Sequence, residues 1–267
     1  MNTLVPYAEI LSQGDEIVSG EIVDSNSAWL SQRLVDLGFL IARHTAVGDR
    51  LEDLVSVLQE ISRRADCCIC TGGLGPTRDD LTAEAVGQAF SLPLKLDPAA
   101  LLMIEERFQK RKQRMPESNR KQALLPKGAR RLDNHWGTAP GFYLTAEGCH
   151  FYFLPGVPRE MEAMFSEYVE KQLPYLFSLP RSMRVVIHVN GMGESKIEAL
   201  LKDLVLPPQA RLGFHAMPQN IRLKLTFPSE FEVPDQEAIV SEICRRLGKA
   251  VTKIETNLVG VQEESER

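Results

Sequence analysis

The chain has no stretch approaching the roughly 18 to 20 consecutive apolar residues that would cross a bilayer, and Met1 to Tyr7 lacks the basic start and apolar centre of a secretory leader. Membrane partners are therefore not expected, and a cytoplasmic location is. The one Cys-x-x-Cys spacing, Cys67 to Cys70, falls inside an apolar strand pattern rather than in a metal-binding loop. Cys67, Cys68 and Cys70 share one apolar run, and with Cys149 and Cys244 they make an odd total, which reads as buried free thiols. His44, His135, His150, His188 and His215 stand far apart, so a structural zinc finds no ligand set. Excess positive charge is also missing. The net charge is −5, and the 31 Lys and Arg are scattered except in Arg107 to Arg114, which reads as the solvated end of a helix starting near Asp97-Pro98. Nucleic acid is accordingly not expected as a main partner.

Three familiar phosphate motifs are absent too. A P-loop closes on Gly-Lys-Ser/Thr, whereas Gly75 is followed by Pro76-Thr77. A dinucleotide fingerprint needs a third glycine where this chain has Arg78. Arg159-Glu160-Met161-Glu162 lacks the second Glu-Glu pair of a Nudix array. What is present is a different glycine loop, Thr71-Gly72-Gly73-Leu74-Gly75-Pro76-Thr77-Arg78-Asp79-Asp80, fed by the apolar run Cys67 to Cys70 and followed by a helical pattern. Three glycines in four residues permit positive φ and let a ligand approach backbone N–H groups, and the helix start adds partial positive charge. The natural guest is a phosphate. Asp79 and Asp80 would repel that guest unless a divalent cation lay between them.

The first strand, Tyr7 to Leu11, ends in a similar gathering: Ser12-Gln13-Gly14-Asp15-Glu16, then Gly20-Glu21, then Asp24-Ser25-Asn26-Ser27. The last four suit a helix cap ahead of Ala28 to Leu37, while Asp15, Glu16 and Glu21 precede any expected helix. In an open parallel sheet, ligands bind beyond the carboxyl ends of the strands, so these two ends can share a crevice. A third strand-to-helix loop, Pro155-Gly156-Val157-Pro158, is available to it.

Periodicity predicts strands alternating with helices up to Leu173: Phe39 to Val47, Leu51 to Arg64, the Cys67 strand, Leu81 to Phe90 and Ala99 to Arg114. Phe142 to Thr145 and His150 to Leu154 read as an antiparallel hairpin at the sheet's edge, leading into a helix from Met161 to Leu173. After Pro174 and Pro180 the order becomes β-α-β-β-α-β, from Met183 to Ile254. The expectation is an α/β domain over 1–173 with a mostly parallel three-layer sheet, a small α+β domain over 178–258, and a charged tail over 259–267.

Five ordered motifs, Gly14 to Asn26, Thr71 to Asp80, Asn119 to Ala123, Gly137 to Gly141 and Leu154 to Met161, resemble the N-terminal region of the CinA family (competence/damage-inducible protein A). The resemblance implies a molybdopterin-binding fold of the MoaB and MogA type, a homodimer, and a metal-dependent ADP-ribose pyrophosphatase releasing AMP and ribose 5-phosphate. Its C-terminal nicotinamide-mononucleotide deamidase domain has no counterpart up to residue 267, so amidase activity is not expected. On this reading Thr71, Gly72, Gly73, Leu74 and Gly75, with Asn26, Gly156 and Pro158, hold the phosphates. Asp15, Glu16, Asp79 and Asp80 are the candidate ligands of a divalent ion such as Mg, Mn or Co. Arg78 or Lys121 would steady charge developing on the phosphoryl oxygens. Two other readings use the same crevice: a pterin-phosphate binder or adenylyltransferase of molybdenum-cofactor assembly, and a nucleotide-binding protein without turnover.

Overall fold

A computed structural model describes residues 5–179, 182–207, 210–217, 220–227 and 233–259. Among them, 5–35 and 39–178 form one compact unit, and 36–38 with the residues from 179 onward form a second. The tail expected over 259–267 lies, from residue 260, outside the described residues.

The first unit runs β1 (Tyr7–Gln13), α1 (Asp15–Val18), α2 (Ser25–Leu37), β2 (Leu40–Val47), α3 (Leu51–Ser62), β3 (Cys67–Thr71), α4 (Thr82–Ala89), β4 (Leu94–Leu96) and α5 (Pro98–Lys110). A 3-10 turn at Glu117–Ala123 precedes β5 (Leu124–Pro126), β6 (Arg130–Leu132), β7 (Gly141–Ala146), β8 (Cys149–Leu154) and α6 (Pro158–Met164). A π-helical turn at Phe165–Val169 then joins α6 to α7 (Glu170–Leu176). The main sheet has the order β2-β1-β3-β8-β7-β6, with β2, β1, β3 and β8 parallel and the β6-β7-β8 end antiparallel.

All five residues of β3 are buried, as the unbroken apolar run requires of a strand covered on both faces. On one face Leu11, Cys68, Cys70, Phe151 and Phe153 pack with Leu54, Leu58 and Ile61 of α3 and with Ala85 and Val86 of α4. Side chains alternate along a strand, so Ile10, Ile69 and Tyr152 serve the other face. Leu30 and Leu34 of α2 and Met161 and Met164 of α6 are also fully buried, and Trp29 meets Phe165 edge-on at 5.4 Å. The expected mostly parallel three-layer sheet is what forms. Asp97 caps α5, accepting from Ala99 N at 2.9 Å and Ala100 N at 2.8 Å, with Pro98 in the first turn.

The second unit is β9 (Ser182–Asn190), α8 (Glu194–Leu201), β10 (Arg211–Ala216), β11 (Asn220–Phe227), α9 (Val233–Leu247) and β12 (Val251–Val259). Its sheet order is β10-β11-β9-β12, antiparallel throughout, and Val185, Ile187, Leu223, Leu225 and Phe227 pack with Ile197, Leu201, Ile243 and Leu247 in a core of its own.

Two expectations are corrected. The β7-β8 hairpin is not an edge: β8 lies beside β3 and β6 covers β7, so the edges are β2 and β6. Phe142 and Phe151 of that hairpin are fully buried and so are not free to meet a partner strand. Asp15 and Glu16 do not precede every helix either, because they open the single turn α1. The five cysteines are free thiols, four of them buried, as expected. Burial pushes Cys67, Cys68 and Cys149 above the ordinary thiol value.

Candidate functional site

Ser12 of β1 pairs with Thr71 of β3, which pairs with Leu154 of β8, so three parallel strands end level and their loops meet. Beyond these ends lies a cavity of about 480 Å³ whose lining runs from Gln13 to Glu160. Gly72 and Gly73 form its floor at φ +102° and +65°, and a Cβ at either would collide with Gln13, 2.4 Å from the backbone O and 2.2 Å from Oε1 respectively. Only glycine fits there. Gln13 is 6% exposed, and its amide locks three segments. Oε1 lies 2.5 Å from the Thr82 hydroxyl, while Nε2 donates to Asp49 Oδ1 at 2.8 Å and to Asp79 O at 3.4 Å.

The loop's N–H groups are not all available. Gly72 N–H donates to Leu154 O at 3.1 Å and Gly75 N–H to Asp80 Oδ1 at 2.8 Å. Those of Gly73 and Leu74 have no partner among the described residues. They are the floor's donors for an anion.

Asn26, in the first turn of α2, ties the strand ends together. Its Nδ2 donates to Thr71 Oγ1 at 3.1 Å and to Gly156 O at 2.8 Å, and the Thr71 hydroxyl in turn donates to Pro155 O at 3.0 Å. Both partners of Nδ2 are acceptors, so the amide orientation is fixed and Oδ1 is left over. Asn26 lines the cavity, is 8% exposed, and its Oδ1 is a buried acceptor without a partner among the described residues. Such an atom costs about 1–3 kcal/mol until something donates to it. Asp24, also in the lining, caps α2 through Ser27 N at 2.9 Å and the Ser27 hydroxyl at 2.5 Å. Burial pushes its carboxyl up, but the hydrogen bonds from Ser27 and Ser12 outweigh this and hold it below the ordinary value.

Of the four expected metal ligands, Glu16, Asp79 and Asp80 line the cavity and Asp15 does not. Asp15 faces the β2-α3 loop, where its Oδ1 accepts from Asp49 N at 3.0 Å and its own N–H donates to Asp49 Oδ2 at 3.1 Å. The Asp80 carboxylate turns inward and accepts from Gly75 N and Thr77 N, each at 2.8 Å, and from the Thr77 hydroxyl, which staples the loop shut. Glu16 and Asp79 line the cavity with carboxylates on exposed residues. The adjacent Thr77 hydroxyl, its own backbone N–H and nearby Lys121 hold Asp79 below the ordinary carboxylate value. No three of His, Cys, Asp and Glu gather as a metal-holding group among the described residues. Of the two expected cations, Arg78 is exposed on the loop and outside the lining. Lys121 grips the loop, donating to Thr77 O at 3.2 Å and lying 3.7 Å from Glu84. Thr71, Leu74, Gly75, Gly156 and Pro158 line the cavity.

Several residues in the lining or just behind it carry no signal in composition. Gln122 Nε2 donates to Leu74 O at 3.3 Å, and Gln122 Oε1 accepts from Asn119 at 2.8 Å. Asn134, fully buried, bonds Ala139 O and Glu160 through Nδ2 and accepts from Trp136 N and Gly137 N. A Cβ on Gly137 would fall 1.8 Å from Glu160 Oε2, so glycine lets that carboxylate close onto the loop. Gln122, Gly137 and Glu160 belong to three of the motifs that carried the family resemblance, and hydrogen bonding now accounts for them.

Residues 9–175 match the family model described as "Probable molybdopterin binding domain". A CinA-like protein of Desulforapulum autotrophicum is 43% identical over 83% of this chain and 54% of its own length. One of Escherichia coli O9:H4 (strain HS) is 40% identical over 91% of this chain and 61% of its own. The chain thus spans little more than half the length of these curated relatives. Among solved structures, that of the protein CinA with unknown function from Thermoplasma acidophilum is 31% identical and superimposes with a TM-score of 0.59, covering 63% of this chain and 99% of that one.

Proposed function

We propose, from the premise that this chain belongs to the CinA-like proteins of the probable molybdopterin binding domain family, that it is a metal-dependent ADP-ribose pyrophosphatase. The observation that carries this reading is one cavity holding two adjacent N–H donors, Gly73 and Leu74, a buried unsatisfied acceptor, Asn26 Oδ1, and two exposed carboxylates, Glu16 and Asp79. A nucleoside diphosphate supplies the counterpart of each: phosphoryl oxygens for the donors and a sugar hydroxyl for the acceptor.

The donor set is all oxygen, which suits a hard divalent cation. A preformed cage is not needed. Mg²⁺ is commonly bound through one or two carboxylates with the remaining positions filled by substrate phosphate and water. Asp79 and Glu16 would hold such an ion, whose chemistry when bound is to offset phosphate charge and to make water acidic enough to act as a nucleophile near neutral pH. The chain's own part is positioning. Gly73 and Leu74 N–H fix one phosphoryl group, Asn26 fixes the sugar, and Asp80 and Gln13 keep the loop in shape. Water adds to one phosphorus, the bond to the bridging oxygen breaks, and the products are AMP and ribose 5-phosphate. A carboxylate at the cavity would take the water's proton.

A second reading is favoured by the family's description: the same floor would hold the phosphate of a pterin. Purified protein incubated with ADP-ribose and a panel of divalent ions, with pterin binding measured in parallel, separates them. Release of AMP supports the first reading, and pterin binding without release supports the second.

A further inference from the structure

Residues 107–114, Arg-Phe-Gln-Lys-Arg-Lys-Gln-Arg, hold five cations and no acid in a chain whose net charge is −5. The fold gives this run a shape. α5 ends at Lys110 and the chain turns back at once: Arg111 N–H donates to Phe108 O at 3.1 Å, Lys112 N–H to Gln109 O at 2.8 Å and Gln113 N–H to Phe108 O at 3.0 Å. Phe108 and Met115 pack against the cluster of Ala100, Ile104 and Ala123. The turn between them, residues 109–114, therefore presents only Gln, Lys and Arg, all exposed. Arg107 is engaged, donating to His135 O at 2.9 Å. Lys110, Arg111, Lys112 and Arg114 have no ion pair or side-chain hydrogen bond among the described residues.

Cations at the end of a helix offset its dipole, which accounts for Lys110 and Arg111. It does not account for the other two. Lys112 sits at φ +56°, a left-handed position that glycine or asparagine fills at less strain, and Arg114 lies past the turn. We propose that this knob is a docking surface for the phosphate backbone of a nucleic-acid duplex. Backbone contacts need cations and amide donors but no base-reading groups, and the turn supplies four free cations with Gln109 and Gln113. Other occupants fit less well. A protein interface is built round an apolar centre, which residues 109–114 lack, and a single strand is held by aromatic faces, whereas Phe108 is packed inward. The chain's net negative charge acts at distances that salt screens, beyond about 10 Å at 0.1 M, so the local cluster decides contact. None of the four cations lines the cavity, so this surface is separate from the site above and stands whether or not that site cleaves a diphosphate.

The test is fluorescence anisotropy of a labelled DNA duplex titrated with the intact chain at several KCl concentrations. Wild type should bind weakly and steeply in salt, with log Kd rising by about 3 to 4 per decade of salt if four phosphates are neutralised. Lys110→Gln/Arg111→Gln/Lys112→Gln/Arg114→Gln should lose roughly tenfold or more in affinity at low salt, along with most of that slope. Arg43→Gln/Lys196→Gln/Lys202→Gln/Lys249→Gln makes the same change in net charge and should lose less than about threefold. All eight positions are exposed, so folding is not at stake, and circular dichroism checks it. Equal losses in the two variants would reduce the effect to net charge and overturn the proposal, as would no binding by wild type at low salt. Tighter binding of polyglutamate than of the duplex would overturn it in favour of an acidic protein partner, and tighter binding of the single strand would overturn the duplex assignment.

Discussion

Replacing Gly73 by alanine tests how the floor of the site is built. The residue sits at φ +65°, and its added Cβ would lie 2.2 Å from Gln13 Oε1, 2.3 Å from Gln13 Cδ and 2.3 Å from Thr82 Oγ1. Two costs follow. The left-handed backbone costs roughly 1–2 kcal/mol for a non-glycine residue, and forcing a carbon into a packed site typically adds about 1–3 kcal/mol. Gln13 is buried and cannot swing out without breaking its bonds to Thr82 and Asp49, at about 0.5–1.5 kcal/mol each. The two costs together come to about 2–5 kcal/mol. For a unit of this size each kcal/mol lowers Tm by about 2–4 °C, so the first unfolding transition should fall by roughly 4–20 °C. Circular dichroism or scanning calorimetry reads it. Gly73→Asn separates the causes: asparagine tolerates positive φ, so a rescue would mean backbone strain alone, whereas the collision predicts no rescue. In a Gln13→Ala background the added cost of Gly73→Ala should shrink, because two of the three nearest atoms are gone. A Tm within about 2 °C of wild type for Gly73→Ala would refute the reasoning.

The two aspartates of the loop should behave differently. Asp79→Asn should remove most ADP-ribose turnover with Tm unchanged, whereas Asp80→Asn, which loses the carboxylate that staples Gly75 and Thr77, should lower Tm as well as turnover; equal Tm values for the two would contradict the assignment. Glu9 is 1% exposed and held by Arg64 at 2.7 and 2.9 Å, so Arg64→Ala strands a buried carboxylate and should cost about 3–5 kcal/mol in urea unfolding. A loss below about 1 kcal/mol would show the pair to be dispensable. Asp24 titrates below its ordinary 3.8 in the folded chain, so the unfolded chain takes up the proton first as pH falls. Its contribution is full above about 3.8 and is lost as pH drops through the lowered folded value. Unfolding followed from pH 6 to 3 should therefore show a shallower decline in Asp24→Asn than in wild type, and parallel curves would argue against it.

The sequence made some of this legible and hid the rest for physical reasons. Helical spacing such as Leu54, Leu58 and Ile61 and the closed apolar run of β3 announce buried faces, so the three layers and the β-α-β-β-α-β unit could be read directly. The strands β4, β5 and β6 have three residues each, too few for any period to show, and missing β6 put the β7-β8 hairpin at an edge it does not occupy. Gly72 and Gly73 advertised their positive φ. What a carboxylate bonds to is not advertised: Asp79 and Asp80 are neighbours and both line the cavity, yet Asp79 is exposed and Asp80 is spent holding Gly75 and Thr77. Buried amides were the blind spot, since Gln13, Gln122 and Asn134 look like any surface residue until the loops they join are brought together.

The central claim is that the cavity beyond β1, β3 and β8 cleaves a diphosphate with help from Asp79 and a divalent ion. Purified wild type and Asp79→Asn, each stripped by chelation and then supplied in turn with Mg²⁺, Mn²⁺ or Co²⁺, should be incubated with ADP-ribose and the products separated by chromatography. Equal amounts of AMP and ribose 5-phosphate should appear with wild type only after an ion is restored, with little product from the variant. Undiminished AMP release after exhaustive chelation, or full release by Asp79→Asn, would contradict the account.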